Sequence, residues 1–330
     1  MSVRPAPVVS IAASIALLLS ACAGAPESDD TTATASPDFP VTVESCGFSS
    51  TIEAPPQRAV TMNQGATEVV LALGLEDRLA GTAYLDDAVP QKWKAAYDSV
   101  DVLSKEYPDH ETLLAAKPDF VYGSYASAFG DEAAGSQQSL AELGVGSLTS
   151  LFGCGENKPS EDVSFDAVWK EIELVGDAFG VPDRAETIRT EQEAGLAKLG
   201  EEKVGTGDDV FWFDSGDKTA FAGAGEGGPQ LILDAVGATN VFADLEGGWA
   251  DVSWEKVVEA DPEIIVLADA SWSTADDKIA FLKKDPVLSQ LEAVREERFV
   301  TLPFSETTPG VRLVDGAQAV ADGIAALDAG

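Results

Sequence analysis

Two stretches of the chain decide its fold: ETLLAAKPDFVY, residues 111–122, and EKVVEADPEIIV, residues 255–266. Each begins with a glutamate, continues through apolar positions typical of a short helix, and changes at Pro118 or Pro262 to an apolar run. Proline ends a helix because it lacks the backbone N–H, and the apolar run after it predicts a buried β-strand. The same helix–proline–strand pattern in each half of the chain predicts two lobes of similar design.

Strand and helix patterns alternate around both stretches. The first half contains the buried strand RAVTMN (residues 58–63) and the amphipathic helix QGATEVVLALGL (64–75), and the second half contains DVFWFDS (209–215) and PQLILDAVG (229–237). Such alternation is typical of α/β lobes with mainly parallel sheets. Between the two halves, VPDRAETIRTEQEAGLAKLGEEK (181–203) predicts one long helix that begins near its proline.

The fold class is therefore predicted as α/β, with two Rossmann-like lobes whose mainly parallel sheets are joined by a single long α-helix, and with a ligand cleft between the lobes. We expect an N-terminal lobe over residues 39–163, a helical segment that includes the linker helix over 164–205, and a C-terminal lobe over 206–330.

The composition excludes one class of partner. The chain has 21 lysines and arginines against 57 acidic residues, a formal charge of −36, and nowhere gathers basic side chains into a patch. Binding to a phosphate backbone requires such a patch, so nucleic acid is not expected as a partner. The 45% hydrophobic content is enough for a substantial core in each lobe.

The N-terminus predicts export. Residues 1–21 contain one arginine, a short apolar run and small residues before Cys22, which together indicate a secretory signal peptide that is too short to span a bilayer. The sequence LSAC, residues 19–22, resembles the bacterial lipobox, in which the cysteine is acylated. We therefore expect a lipid-anchored protein on the extracytoplasmic face of the cell membrane, with residues 22–38 as a flexible acidic tether. An ordinary signal peptide with an incidental cysteine is the alternative.

Export also affects the other two cysteines. Cys46 and Cys154 would lie in a compartment where disulfides persist, so we expect them to be joined, with two free thiols as the alternative. A zinc site is barely constructible, because the chain has a single histidine, His110.

The paired stretches, together with ATEVVLALGLEDRLAGTA (66–83) and LILDAVGATNVFADLEGGWADVSWEKVVEADPEIIVL (231–267), resemble a known family. They are similar to the exported substrate-binding proteins of ABC importers for ferric siderophores, haem and cobalamin, and the resemblance extends from about Phe39 to the end of the chain. It implies a monomeric receptor that is not an enzyme, has no cofactor or resident metal, and delivers a captured ligand to membrane permease subunits. In this family one glutamate per lobe docks onto permease arginines; carried over by motif, these are Glu111 and Glu255.

The ligand is expected in the cleft, at the carboxyl ends of the strands. Aromatic side chains there would offer flat surface to a bulky chelate, and an arginine could bind its anionic oxygens. The candidate ligand-binding residues are Asn63, Gln64, Tyr84, Tyr125, Trp212, Trp249, Trp272 and Arg312. Because cations are few, a ferric siderophore of hydroxamate type is the expected ligand; cobalamin, haem or another cofactor-like ligand is the alternative.

Other functions have weaker support in the sequence. GAGEGG (223–228) matches a dinucleotide-binding pattern, but its apparent strand ends near Asp214, and Glu226 would repel a pyrophosphate. A glycine-rich cleft loop is the better interpretation. An exported hydrolase that uses carboxylates has no motif behind it. A receptor for free metal ions would need more than one histidine. A structural or signalling lipoprotein remains an alternative, distinguished by a cleft that binds no small molecule.

Overall fold

The first lobe is built on a five-stranded parallel sheet in the order β5-β4-β3-β6-β7. The structure is a computed structural model that describes residues 39–85 and 87–329; the predictions for residues 1–38, including acylation of Cys22, lie outside the described residues. An antiparallel hairpin, β1 and β2, precedes the sheet. The strands are β1 Val41–Ser45, β2 Phe48–Ile52, β3 Ala59–Met62, β4 Leu79–Ala83, β5 Val102–Ser104, β6 Phe120–Gly123 and β7 Gly146–Thr149. The helices are α1 Gln64–Ala72, α2 Lys94–Asp98, α3 His110–Ala115 and α4 Gln137–Glu142.

The two lobes are connected by a pair of helices, α5 Phe165–Phe179 and α6 Pro182–Glu202. The Ser164 side chain caps α5 by accepting from the Ala167 N–H, and Gly180 ends α5 in the left-handed region at φ 71°. Pro182 then begins α6, where the missing N–H costs no hydrogen bond. The 21-residue α6 is the long linker helix that the sequence predicts.

The second lobe contains a mixed sheet in the order β11-β9-β8-β12-β13, with the short β10 pairing with β8. β8, β10, β12 and β13 are parallel, whereas β9 and β11 form an antiparallel edge. The strands are β8 Asp209–Ser215, β9 Ala220–Gly223, β10 Thr239–Asn240, β11 Trp249–Val252, β12 Ile264–Asp269 and β13 Phe299–Pro303. The helices are α7 Gly228–Val236, α8 Trp254–Ala260, α9 Ala275–Lys284, α10 Glu292–Arg295 and α11 Leu313–Asp328.

One hydrophobic cluster extends through both lobes. Phe120 of β6, Ile172 of α5, and Trp212 and Ile264 of the second sheet are all buried members of it. The helix pair therefore does more than connect the sheets, since its apolar faces fill the space between them. Two further clusters pack on the opposite faces of the sheets.

The predicted α/β fold with two lobes is confirmed, and the two similar stretches form matching units. Residues 111–122 form most of α3 followed by β6, and residues 255–266 form most of α8 followed by β12. The sequence did not reveal β9 and β11. β9 is four residues long, and its glycine-rich continuation is more typical of a loop than of a strand.

Candidate ligand-binding site

A cleft of about 1260 Å³ lies between the lobes. It lies where loops follow the carboxyl ends of parallel strands, which is the edge at which open α/β sheets bind ligands. The first lobe contributes, among others, Gln64, Ser124, Tyr125, Ser150 and Phe152 to its wall. The second lobe contributes, among others, Asp214, Phe221, Trp249, Trp272, Phe304 and Ser305.

Four residues that the sequence singled out lie on the cleft wall: Gln64, Tyr125, Trp249 and Trp272. The Trp272 side chain is 56% exposed and packs edge-on against Phe304, with ring centroids 4.9 Å apart. Tyr125 belongs to the first lobe, and Trp249 and Trp272 belong to the second. A bulky ligand between these rings would therefore contact apolar surface on two sides.

The glycine-rich stretch 223–228 forms part of the same wall through Gly225, Glu226 and Gly227. It runs beside residues 245–248, and the Glu226 N–H donates to the Gly247 carbonyl at 2.9 Å. A Cβ on Gly227 would lie 2.5 Å from the Gly248 Cα, so the two backbones approach too closely for any side chain at that position. The glycines thus allow this loop to pack closely against residues 245–248 at the cleft wall.

Three predicted ligand residues lie elsewhere. Trp212 is fully buried in the core, because alternation along β8 turns its side chain into the cluster that contains Ile232. Asn63 is 2% exposed, and its side-chain oxygen accepts from the Tyr107 hydroxyl at 3.0 Å. Tyr84 packs edge-on against Tyr107, with centroids 4.8 Å apart. None of the three is among the residues that line the cleft in the described part of the chain.

Arg312 is a further correction, because its guanidinium bonds carboxylates inside the protein. The residue is 4% exposed, and its Nη1 donates to Glu68 Oε1 at 3.2 Å. Its Nη2 donates to Glu306 Oε1 in a second, short contact. Its Nε is buried without a partner. With both Nη groups bonded to carboxylates, Arg312 joins the lobes and is not among the described residues that line the cleft, contrary to the prediction that it binds the ligand.

Arg312 belongs to a group of polar side chains that joins the lobes, here called the interlobe network: Gln64, Glu68, Asp87, Ser305, Glu306 and Arg312. The Ser305 hydroxyl donates to Asp87 Oδ2 at 3.0 Å, and Gln64 Nε2 donates to Glu68 Oε1 at 2.7 Å. Burial raises the pKa of Glu68 to about 7, although Arg312 favours its charged form. Gln64 and Ser305 also line the cleft, so the network forms part of its floor.

The charges on the cleft wall have one sign. In the part of the chain that the structure describes, no lysine, arginine or histidine lines the cleft. The acidic residues that line it are Glu156, Glu161, Asp162, Glu171, Asp214 and Glu226. Two of them have lysine partners at the exposed rim, Glu156 with Lys158 and Glu161 with Lys170. The remaining acids give the cleft a negative potential.

Glu171 and Asp214 are the two buried acids of the wall. Glu171 is well paired, since it accepts from the Ser150 hydroxyl and the Leu151 N–H, each at 2.7 Å, and from the Tyr122 hydroxyl. Burial raises the pKa of Glu171, and these hydrogen bonds oppose the rise. Asp214 is the penultimate residue of β8, and its Oδ1 is buried without a hydrogen-bond partner of good geometry. The two acids therefore differ in how well the protein satisfies them.

A disulfide lies beside one rim of the cleft. Cys46, in the turn between β1 and β2, is bonded to Cys154 with an S–S distance of 2.07 Å. Cys154 is followed by residues 155–163, here called the rim segment. Six of its residues line the cleft: Glu156, Pro159, Ser160, Glu161, Asp162 and Val163. The disulfide thus ties the start of the rim segment to the hairpin.

Glu111 and Glu255 occupy equivalent positions in the two lobes. Each is exposed and lies in the first turn of a short helix, α3 or α8, that precedes a core strand. An acid at this position is stabilised by the partial positive charge of the helix N-terminus. The pKa of Glu255 is lowered by its own backbone N–H and by the Ser253 hydroxyl.

Sequence reasoning missed Asp214, Phe152, Phe304 and the rim segment. For Asp214 a signal was present, because FWFDSG places an acid directly after an apolar strand, where strand ends face a cleft. The rim segment carries no comparable signal, since ENKPSEDV, residues 156–163, is typical of any polar loop.

Comparison with known proteins agrees with this geometry. The family model described as "Periplasmic binding protein" matches residues 60–306, and the chain belongs to this family. The uncharacterized ABC transporter substrate-binding lipoprotein YvrC of Bacillus subtilis is 25% identical over 94% of this chain and 93% of its own length. A vitamin B12-binding protein of Photorhabdus laumondii is 23% identical over 67% of this chain and 74% of its own. A periplasmic binding protein structure from Veillonella parvula has a TM-score of 0.75 and 30% identity, over 86% and 97% of the two chains.

Membership in a family of solute-binding proteins agrees with a binding function and not with catalysis. Across residues 39–85 and 87–329, no helix is long and apolar enough to cross a membrane. The same residues contain no group of three or more histidine, cysteine or acidic side chains placed to hold a metal ion.

Proposed function

We propose that this protein is a lipid-anchored, extracytoplasmic receptor of an ABC importer, which captures a ferric siderophore of hydroxamate type and delivers it to membrane permease subunits. The observation that carries this proposal is the cleft itself, about 1260 Å³ in volume, with aromatic side chains from both lobes and no cationic side chain among the described residues of its wall. A cleft of this size suits a whole chelate better than a bare ion.

The charge of the cleft supports the hydroxamate class. Hydroxamate groups together neutralise the ferric ion that they bind, whereas ferric catecholates and ferric citrates are anions and haem carries carboxylates. An anionic ligand would meet the acids Glu171, Asp214 and Glu226 with no cation beside it on the wall. A neutral or positively charged chelate avoids that repulsion and gains contact with Trp249 and Trp272.

The anchor and the permease contact rest on the sequence and on the position of two helices. The LSAC motif supports acylation of Cys22 and attachment to the extracytoplasmic face of the cell membrane. Glu111 and Glu255 lie at matching places in the two lobes, exposed and in the first turns of their helices, which suits a pair of docking contacts. The receptor would act as a monomer, with one such pair per chain.

Cobalamin is the second candidate ligand, because a relative that covers 67% of this chain is named a vitamin B12-binding protein. Cobalamin is also bulky and lacks the multiple negative charges of a catecholate. Haem and other cofactor-like ligands remain outcomes of the same binding experiment.

The decisive experiment is a tryptophan fluorescence titration of the purified protein with ferric hydroxamates, ferric citrate, cobalamin, haem and free Fe(III). We expect saturable quenching by a ferric hydroxamate and none by free iron, after correction for absorbance of the chelate. Trp249→Phe and Trp272→Phe should each reduce the quenching, because both rings line the cleft. Trp93→Phe is the matched control, since Trp93 is not among the cleft residues.

The titration separates the alternatives. A response to cobalamin or haem alone would keep the receptor function and replace the ligand. No response to any of the compounds would contradict the proposal.

A further inference from the structure

Asp214 is a buried acid on the cleft wall whose Oδ1 is left without a well-formed hydrogen bond. It is the penultimate residue of β8, the central strand of the second sheet, and is 8% exposed. Buried carboxylate oxygens are almost always satisfied, because leaving one unpaired costs free energy. An orphaned oxygen on the wall of a binding cleft is therefore a candidate contact for a ligand.

The nearest cation does not satisfy Asp214. Burial raises the pKa of the Asp214 carboxyl, and the charge of Lys278 is the largest effect that opposes the rise. The Lys278 ammonium, however, donates to the carbonyls of Ala268 and Ser273, the latter at 2.9 Å. In the part of the chain that the structure describes, no lysine or arginine nitrogen lies within 4.0 Å of the Asp214 carboxylate. Lys278 is buried and does not line the cleft, so the wall presents the acid and not its cationic neighbour.

Trp249 provides the second feature, since it lines the same part of the cleft. Its indole N–H is likewise buried without a partner of good geometry, and it lies close enough to the Asp214 carboxyl to favour the charged form of that acid, as does the Ser215 side chain. The faces of tryptophan rings attract cations, most strongly where water is excluded. The indole N–H of Trp249 thus helps to keep Asp214 ionised, and an ionised carboxylate on the cleft wall is suited to hold an ammonium group.

The rest of the wall reinforces this preference. Glu226 and Asp162 add negative charge to the cleft, and no described lysine, arginine or histidine on the wall offsets it. Field lines concentrate in such a cleft and raise the local concentration of cationic ligands.

We propose that the cleft takes a chelate that bears a protonated amine, and that Asp214 determines this specificity by binding the ammonium group beside the ring of Trp249. This inference rests on the proposed receptor function and further specifies that the ligand carries a positive charge. In this arrangement the carboxylate of Asp214 determines specificity by binding the ammonium group, and the aromatic side chains of the cleft contact the iron-bearing part of the chelate.

The test uses two probes that differ only in this charge: a linear ferric trihydroxamate with a free terminal amine, and the same chelate acetylated at that amine. The affinity of the purified full chain for each is measured by fluorescence titration. We expect the amine form to bind about tenfold or more tightly than the acetylated form, as for loss of a charge-assisted hydrogen bond. Asp214→Asn should remove most of this difference by weakening the amine form alone.

Asp251→Asn is the matched control, because Asp251 is an exposed acid on the same strand as Trp249 and does not line the cleft. It removes the same charge and should preserve the preference. Circular dichroism of both variants checks that the fold is retained, and Asp214→Glu should keep part of the preference because it keeps the charge. Equal binding of the two probes, or a preference that survives in Asp214→Asn, would overturn this inference while the receptor function stands. Binding of neither probe would overturn the hydroxamate proposal and this inference with it.

Discussion

The Arg312 guanidinium lies between Glu68 and Glu306 at the contact between the lobes, and it shows how a single residue can hold two lobes in register. Arg312 and Glu68 are only 4% and 2% exposed in their side chains. Removing one partner of a buried ion pair strands the other charge away from water. Arg312 thus stabilises the fold, and its removal should lower the free energy of unfolding.

We expect Arg312→Ala to lower the free energy of unfolding by about 3–5 kcal/mol, measured by urea denaturation. Adding Glu68→Gln should recover part of this loss, because it removes the stranded charge. Lys92→Ala is the matched control: Lys92 also reaches across the lobes, to Asp315, but the pair is about half exposed. It should cost about 0–1 kcal/mol. A stability of Arg312→Ala equal to that of Lys92→Ala would contradict this account.

At the scale of one element, the rim segment depends on the Cys46–Cys154 disulfide for its attachment to the first hairpin. We expect Cys46→Ala with Cys154→Ala to lower the free energy of unfolding by about 2–4 kcal/mol, because the cross-link restricts the unfolded chain. Ligand affinity should fall as well, since residues of the rim segment line the cleft. Ser49→Ala, an exposed change in the same hairpin, should alter neither quantity. Unchanged affinity in the double variant would show that the rim segment holds its position without the disulfide.

The helices α3 and α8 carry the docking proposal. We expect Glu111→Ala with Glu255→Ala to abolish uptake in cells and leave ligand affinity of the purified protein unchanged, because both glutamates are exposed and do not line the cleft. Glu142→Ala with Glu292→Ala removes two other exposed acids, one per lobe, and should leave uptake intact. A loss of affinity in the first double variant would place those glutamates in the ligand site instead.

Helices whose apolar residues recur at helical spacing could be predicted from the sequence. The roles of individual side chains were much harder to predict. The stretch 64–75 gave α1 and the stretch 181–203 gave α6, because helical periodicity, Pro182 and the glycines are local signals. Trp212 and Arg312 were misassigned because their surroundings depend on tertiary packing: Trp212 lies within β8, where the core that contains Ile232 covers its side of the sheet. Asp214, two positions further along the same strand, is the residue on the cleft wall.

At the scale of the whole molecule, the buried acids make stability depend on pH. The pKa of Glu68 is raised from its ordinary 4.5 to about 7, and burial also raises the pKa of Glu171 and Asp214. Between pH 4.5 and pH 7 Glu68 holds a proton in the folded protein that it has released in the unfolded chain, so stability falls as pH rises. We expect a loss on the order of 2 kcal/mol between pH 5 and pH 8, measured by urea denaturation.

Glu68→Gln should flatten this dependence, whereas Glu44→Gln, at an exposed strand position, should leave it unchanged. The acids whose pKa values are lowered, Asp109 and Glu255 among them, act only at more acidic pH and do not oppose the trend in this range. Stability that rises from pH 5 to pH 8 would contradict the assignment of these buried acids.

The interlobe network also has a consequence for how the molecule is made. Glu68 and Arg312 are 244 positions apart, and chains are synthesised from the amino end. The carboxylate of Glu68 therefore stays open to water until the segment that precedes α11 arrives. A chain that ends before Arg312 leaves Glu68 without its guanidinium partner, so we expect truncated chains to be less stable and more readily cleaved by proteases than the full chain.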